Sequence, residues 1–152
     1  MNTYRLFPFK PFIGTGLFLL ALLLGATTIS AAESKLDVQL VWGSNGEESP
    51  NPNHKPLDAS LAKKLGMFKW KKYYQVTRKQ VVLVEHAPQK VRLSPQCLIE
   101  VKHLEGPRYE INVFGEGKHV RKITERITKH DSLAIAGDDK NDCAWFILIR
   151  EL

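Results

Sequence analysis

Two cysteines, five histidines and one acidic cluster carry most of the reactive potential of this 152-residue chain. Cys97 and Cys143 stand 46 positions apart. That spacing is unlike the close pairs of redox and zinc motifs, and it suits a disulfide closing a long loop in an oxidising compartment. The alternative is two buried thiols packed as small apolar groups. The histidines, His54, His86, His103, His119 and His130, are dispersed, and none has a second ligand one helical turn away. His103 and His119 are the pair that neighbouring strands would bring together, but two histidines fall short of the three or four ligands that zinc takes.

The acidic cluster is GDDKND, from Gly137 to Asp142. Oxygen ligands at alternate positions are what calcium loops use, yet Lys140 takes the third alternate place and no glutamate follows at the twelfth. A tight turn between strands accounts for glycine, aspartate and asparagine here without an ion. No GxSxG elbow, HExxH pair or glycine-rich phosphate loop occurs in the chain. The expectation is a protein without catalytic residues, metal or cofactor.

A different kind of chemistry is offered by GMFKWKKYYQV, Gly66 to Val76, which sets four aromatic rings among three lysines. With Arg78 close behind, Lys69, Lys71, Lys72 and Tyr73 form a candidate surface for polyanions or glycans, the ring stacking on sugar while the cations meet phosphate or carboxylate. The competing reading is a helix-to-strand junction followed by a solvated sheet face, with lysines guarding the edge from unwanted pairing. Glutamates 100, 105, 110, 116 and 125 offset the later basic residues. Net charge is +6 over the whole chain and +4 without Arg5 and Lys10. That mild excess permits anionic partners without requiring them, and it argues against nucleic acid.

The elements that must position these residues begin after a leader. Arg5 and Lys10, an apolar run from Phe12 to Ala26 and small residues from Thr27 to Ala32 have the three-part order of a secretory signal peptide. Residues 1–32 are expected to be removed after Ala32, leaving an exported protein, periplasmic or extracellular, with no membrane span. An uncleaved anchor is the other reading, because no charge interrupts Pro11 to Ala32. Residues 33–152 suffice for one domain and one core.

Within that domain LDVQLVW, from Leu36 to Trp42, alternates as a strand with one face inside. Residues 43–56 are rich in glycine, asparagine and proline and predict a flexible loop. Asp58 stands where a helix cap belongs, ahead of Leu61 and Leu65, so a short helix is expected from Asp58 to about Phe68. Then the period changes to two. It places Trp70 and Tyr74 inward and Tyr73 with the lysines outward. Short apolar runs follow from Gln80, Lys90, Cys97, Arg108, Lys118, Ser132 and Cys143, divided by prolines, Gly-Pro and Gly-Glu-Gly turns. In CAWFILI both faces are apolar, as in a central strand covered on each side.

About eight short strands and one N-terminal helix predict an all-β protein, an antiparallel β-sandwich or partly open barrel. LVWGSN (40–45), FKWKKYYQV (68–76) and AGDDKNDCAWFILI (136–149) resemble segments of small exported bacterial proteins grouped as families of unknown function. The resemblance implies a non-catalytic envelope or extracellular protein. The leading functional expectation is therefore a binding or assembly module that docks on a protein partner. A polyanion or glycan binder, and a small secreted enzyme or enzyme inhibitor, stand as alternatives.

Overall fold

The structure is a computed structural model that describes residues 33–152 except Glu47, Pro50, Lys140 and Asn141. The expected leader, residues 1–32, lies outside the described residues. The chain forms β1 (Glu33–Ser44), β2 (Lys55–Pro56), α1 (Ala59–Lys64) continued by a 3₁₀ turn (Leu65–Met67), and β3 (Lys72–Val84). Then come β4 (Pro88–Arg92), β5 (Cys97–His103), β6 (Arg108–Gly115), β7 (Lys118–Arg126), β8 (Ser132–Asp139) and β9 (Cys143–Glu151). Every pairing is antiparallel. A five-stranded sheet in the order β2-β3-β1-β9-β8 faces a four-stranded sheet in the order β4-β5-β6-β7, so the molecule is an all-β sandwich and not a closed barrel. Among the described residues no helix is long and apolar enough to cross a membrane.

Alternation builds the main core. Leu36, Val38 and Leu40 of β1 and Ile147 and Ile149 of β9 point inward against Ile99 and Val101 of β5 and Tyr109, Ile111 and Val113 of β6. The Tyr109 hydroxyl bonds the Ser34 hydroxyl and so ties the two sheets together through their polar groups. β9 lies between β1 and β8, and both its faces are covered, as its two-sided apolar pattern requires. The cover on its outer face is α1 with the segment after it: Leu57, Leu61, Leu65, Trp70 and Tyr73 pack on Val41, Ala144, Phe146 and Leu148. Asp58 caps α1 by accepting the Ser60 N–H at 2.9 Å.

The fold departs from the sequence reading in three places. Tyr73, expected among the exposed lysines, is only 9% exposed and donates its hydroxyl to the Leu65 carbonyl at 2.8 Å, whereas Tyr74 is half-buried. Trp70 is buried as expected, but it lies before β3 and packs in the same outer cluster as Tyr73, so the face assigned to solvent is the one the lid covers. Asp37 and Gln39 lie on the same outer face of β1 as Val41 and are buried too, with Arg78, Arg150 and Gln39 bonded to the Asp37 carboxylate. Finally, the stretches before and after Lys79 are one 13-residue strand, β3. Charged residues interrupt its apolar pattern without breaking the backbone ladder, and a bulge at Val76, between Leu40↔Thr77 and Val41↔Gln75, absorbs the irregularity.

The expected disulfide is absent: Cys97 and Cys143 are not joined and do not lie close. Both sit on inward-facing positions, yet Cys97 opens β5 in one sheet and Cys143 opens β9 in the other. Packed sheets stand about 10 Å apart, beyond the roughly 7 Å Cα limit of a disulfide. At this end of the sandwich a cleft separates the sheets. Unfolded, unreduced protein should accordingly take up two alkyl groups per chain from iodoacetamide. Uptake of none would show that the bond forms.

Candidate functional site

The cleft lies between the two sheets, at the end where β1 finishes and β5 and β9 begin, and encloses about 680 Å³. Leu40, Val76, Val113 and Cys97 make an apolar floor continuous with the core. One wall carries Trp42 of β1 and Trp145 of β9, which are direct cross-strand partners, and the other is made by Gly115 at the end of β6 and Val120 of β7, while the Phe114 ring turns to the far face of its sheet beside His119. Tyr74 supports the first wall from behind, its ring 5.9 Å from that of Trp42. The rim is polar: Ser94 and Gln96 from the β4–β5 turn, Glu116 from the β6–β7 turn, and Asp138 and Asp139 from the end of β8.

Trp145 owes its position to a glycine. Gly137 is its cross-strand neighbour on β8, and the indole lies so close over the Gly137 Cα that a methyl group there would overlap the ring. Any side chain at 137 would displace the indole from the wall. The β6–β7 turn is equally specific. Glu116 (φ 50°) and Gly117 (φ 78°) both adopt left-handed conformations between the paired Gly115 and Lys118, as in a two-residue hairpin with primed-turn geometry. The Glu116 N–H donates to the Gln96 carbonyl at 2.8 Å and closes one side of the rim.

The cleft offers shape, apolar surface and carboxylate charge for recognition. Burial pushes the Cys97 thiol above its ordinary pKa, so it stays protonated at neutral pH and is a poor nucleophile. Although the chain holds 22 lysines and arginines, none lines the cleft among the described residues, and neither does any histidine. The cleft is thus an acidic-rimmed, aromatic-walled space in a basic protein.

The residues singled out from sequence lie elsewhere. Lys69, Lys71 and Lys72 are exposed on the approach to β3; Lys69 sits 3.5 Å from Asp142 and 4.7 Å from the Trp70 ring centre. Tyr73 is buried beneath the lid and offers no ring for stacking. Arg78 turns to the outer sheet face, where its Nε and Nη2 grip the two Asp37 oxygens at 2.8 and 3.0 Å. Arg150 adds a bond at 2.9 Å and Gln39 one at 3.1 Å. Burial opposes the Asp37 charge, but these donors outweigh it and hold the carboxyl below its ordinary pKa. Gln39 Oε1 is buried beside this network without a hydrogen-bond partner among the described residues.

His103 and His119 do not meet. His103 faces Tyr109 at the start of β6, stacks on it at 4.9 Å and donates to the Gly106 carbonyl, while His119 stands beside Phe114 at the other end and donates to Asn112. Among the described residues no group of three or more His, Cys, Asp or Glu side chains comes together to hold a metal.

The cleft was invisible as a motif because its lining comes from seven strands and two turns. One signal pointed to it: a glycine inside a strand pattern, Gly137, marks a place where another group approaches the backbone closely. Compared with protein-family models, curated proteins and solved structures, the chain gives no significant match.

Proposed function

We propose that this protein is an exported, non-catalytic docking module that receives an extended segment of a partner protein in the cleft between its sheets, in the periplasm or outside the cell. The observation that carries this reading is the cleft itself: about 680 Å³ between the sheets, with Trp42 and Trp145 on one side, Val120 on the other and an apolar floor continuous with the core. Concave apolar spaces of this size with a few polar groups at the rim are the usual form of binding sites. A peptide suits it because Val120 and Asp138, on either side of the mouth, belong to β7 and β8, the terminal strands of their sheets. Among the described residues each terminal strand has a backbone edge with no strand partner, and an extended peptide can pair with such an edge while placing a side chain in the adjoining space.

Selection of a phage-displayed random dodecapeptide library on the purified protein tests the reading. Enriched peptides should perturb the indole N–H resonances of Trp42 and Trp145. They should lose affinity at least about tenfold for Val120→Trp, which fills the mouth from an exposed rim position without touching the core. Peptides that bind the variant as tightly as the parent, or a library without enrichment, would overturn the proposal.

A further inference from the structure

We infer that two copies of this chain join through β8, the two strands running antiparallel about a two-fold axis so that the five-stranded sheets merge into one. This pairing goes beyond the docking reading and leaves the β7 edge for the docked segment. β8 invites it because, among the described residues, it lacks what keeps the other sheet edges apart. Ser132 to Gly137 reads SLAIAG, with no charge and no proline, and its ladder to β9 runs without a bulge. β7 carries Lys118, Arg121, Lys122 and Arg126 and is bulged against β6. β4 holds Pro88, Lys90 and Arg92, and β2 consists of Lys55 and Pro56 alone. Where β2 leaves β3 open, Arg78 and Lys79 stand on the strand before it turns into β4. Cations and prolines of this kind block edge-to-edge pairing, and an apolar edge without them promotes it.

The backbone fixes the register. The Leu152 N–H bonds the Lys35 carbonyl at 2.9 Å, so along β9 the even-numbered residues turn their backbone groups to β1 and the odd-numbered ones to β8. The β8 partners of the latter are Leu133, Ile135, Gly137 and Asp139. Backbone groups of Ser132, Ala134, Ala136 and Asp138 therefore face the open edge, where Asp131 already accepts the Ser132 N–H at 3.0 Å. A second β8 laid antiparallel with Ile135 facing Ile135 sets Ala134 opposite Ala136 of the other copy, in position to exchange both N–H···O bonds. The same register is complementary in charge. The Ser132 hydroxyl accepts the Lys64 ammonium of α1 at 3.1 Å at one end of the outer face, and Asp138 lines a groove with Ala136 and Phe146 at the other end. Ser132 of each copy then stands opposite Asp138 of the other, so each Lys64 meets a carboxylate across the seam. A strand of another protein satisfies both ends only by carrying the same acid and base in reverse order, which a second copy does by symmetry.

Sedimentation equilibrium of the purified protein from about 1 to 300 µM tests this. The mass should rise to two chains and no further, and the Ala134 and Ala136 amides should exchange more slowly as the dimer forms. Lys64→Asp and Asp138→Lys, both at exposed positions, should each weaken the dimer at least about tenfold by setting like charges across both ends of the seam. The double variant exchanges the two charges and should restore it. Ala134→Pro removes an N–H that faces the open edge and none that bonds β9, and should abolish the dimer; if the proline unfolds the strand, the charge variants decide. A mass of one chain throughout overturns the inference and leaves β8 as an edge for a segment of another protein. Parental affinity in both single charge variants places the contact elsewhere and overturns it as well.

Discussion

Replacing Asp37 with alanine is expected to lower stability at pH 7 by about 3 kcal/mol, a large fraction of the 5 to 15 kcal/mol typical of a domain. Asp37 is 1% exposed and stands among three donors, Arg78, Arg150 and Gln39. Removing one partner of a buried ion pair leaves the other charges uncompensated. The arginine side chains, however, are 43% and 37% exposed and can turn to water, which keeps the loss at the lower end of the usual range. Asp37→Asn retains the shape and separates charge from packing.

The network also sets a pH dependence. Because the folded-state pKa of Asp37 is depressed below its unfolded value of 3.8, its contribution is fully present above that value. It is lost as the pH falls through the folded-state pKa. Urea midpoints of the parent and Asp37→Asn should therefore differ by a constant amount above about pH 5 and converge toward pH 3 and below. A difference independent of pH would mean that the carboxylate charge contributes nothing.

Phe146→Ala should cost about 3 to 5 kcal/mol, the range for emptying a large aromatic site in a core. Phe146 is fully buried in the central strand β9, with ring centres of Phe68 and Tyr73 at 4.9 and 5.6 Å. It also fills the space above Gly43, where an added methyl carbon would stand 2.9 Å from the ring. The lid that covers it is short: α1 has six residues, and its own helical propensity cannot hold it in place. Loss of the ring removes the surface on which Phe68 and Tyr73 rest, so the lid should loosen together with the core. Urea unfolding with an unchanged m-value would give the free-energy difference directly. Faster amide exchange from Leu57 to Tyr73 would place the damage in the lid. A loss below about 1 kcal/mol would show that the outer cluster contributes little.

The sequence by itself determined those features that depend on neighbours along the chain. Asp58 ahead of Leu61 and Leu65 specifies a capped helix, because the cap and the apolar stripe lie within one or two turns. Period-two runs and their turn residues specify β5, β6 and β7, and the doubly apolar CAWFILI specifies a strand that must be covered twice. Only the tertiary structure decided which element covers the second face. Because α1 and Trp70 do so, Tyr73 is interior, although alternation alone would leave that face to water. It likewise separated Cys97 from Cys143: strand alternation sets the direction of a side chain but not the distance between two sheets. The cleft belongs wholly to this second kind of information. Trp42, Val120, Glu116 and Trp145 come to line one space only when two sheets pack face to face, since no local spacing encodes a gap between surfaces that the chain reaches on separate passes.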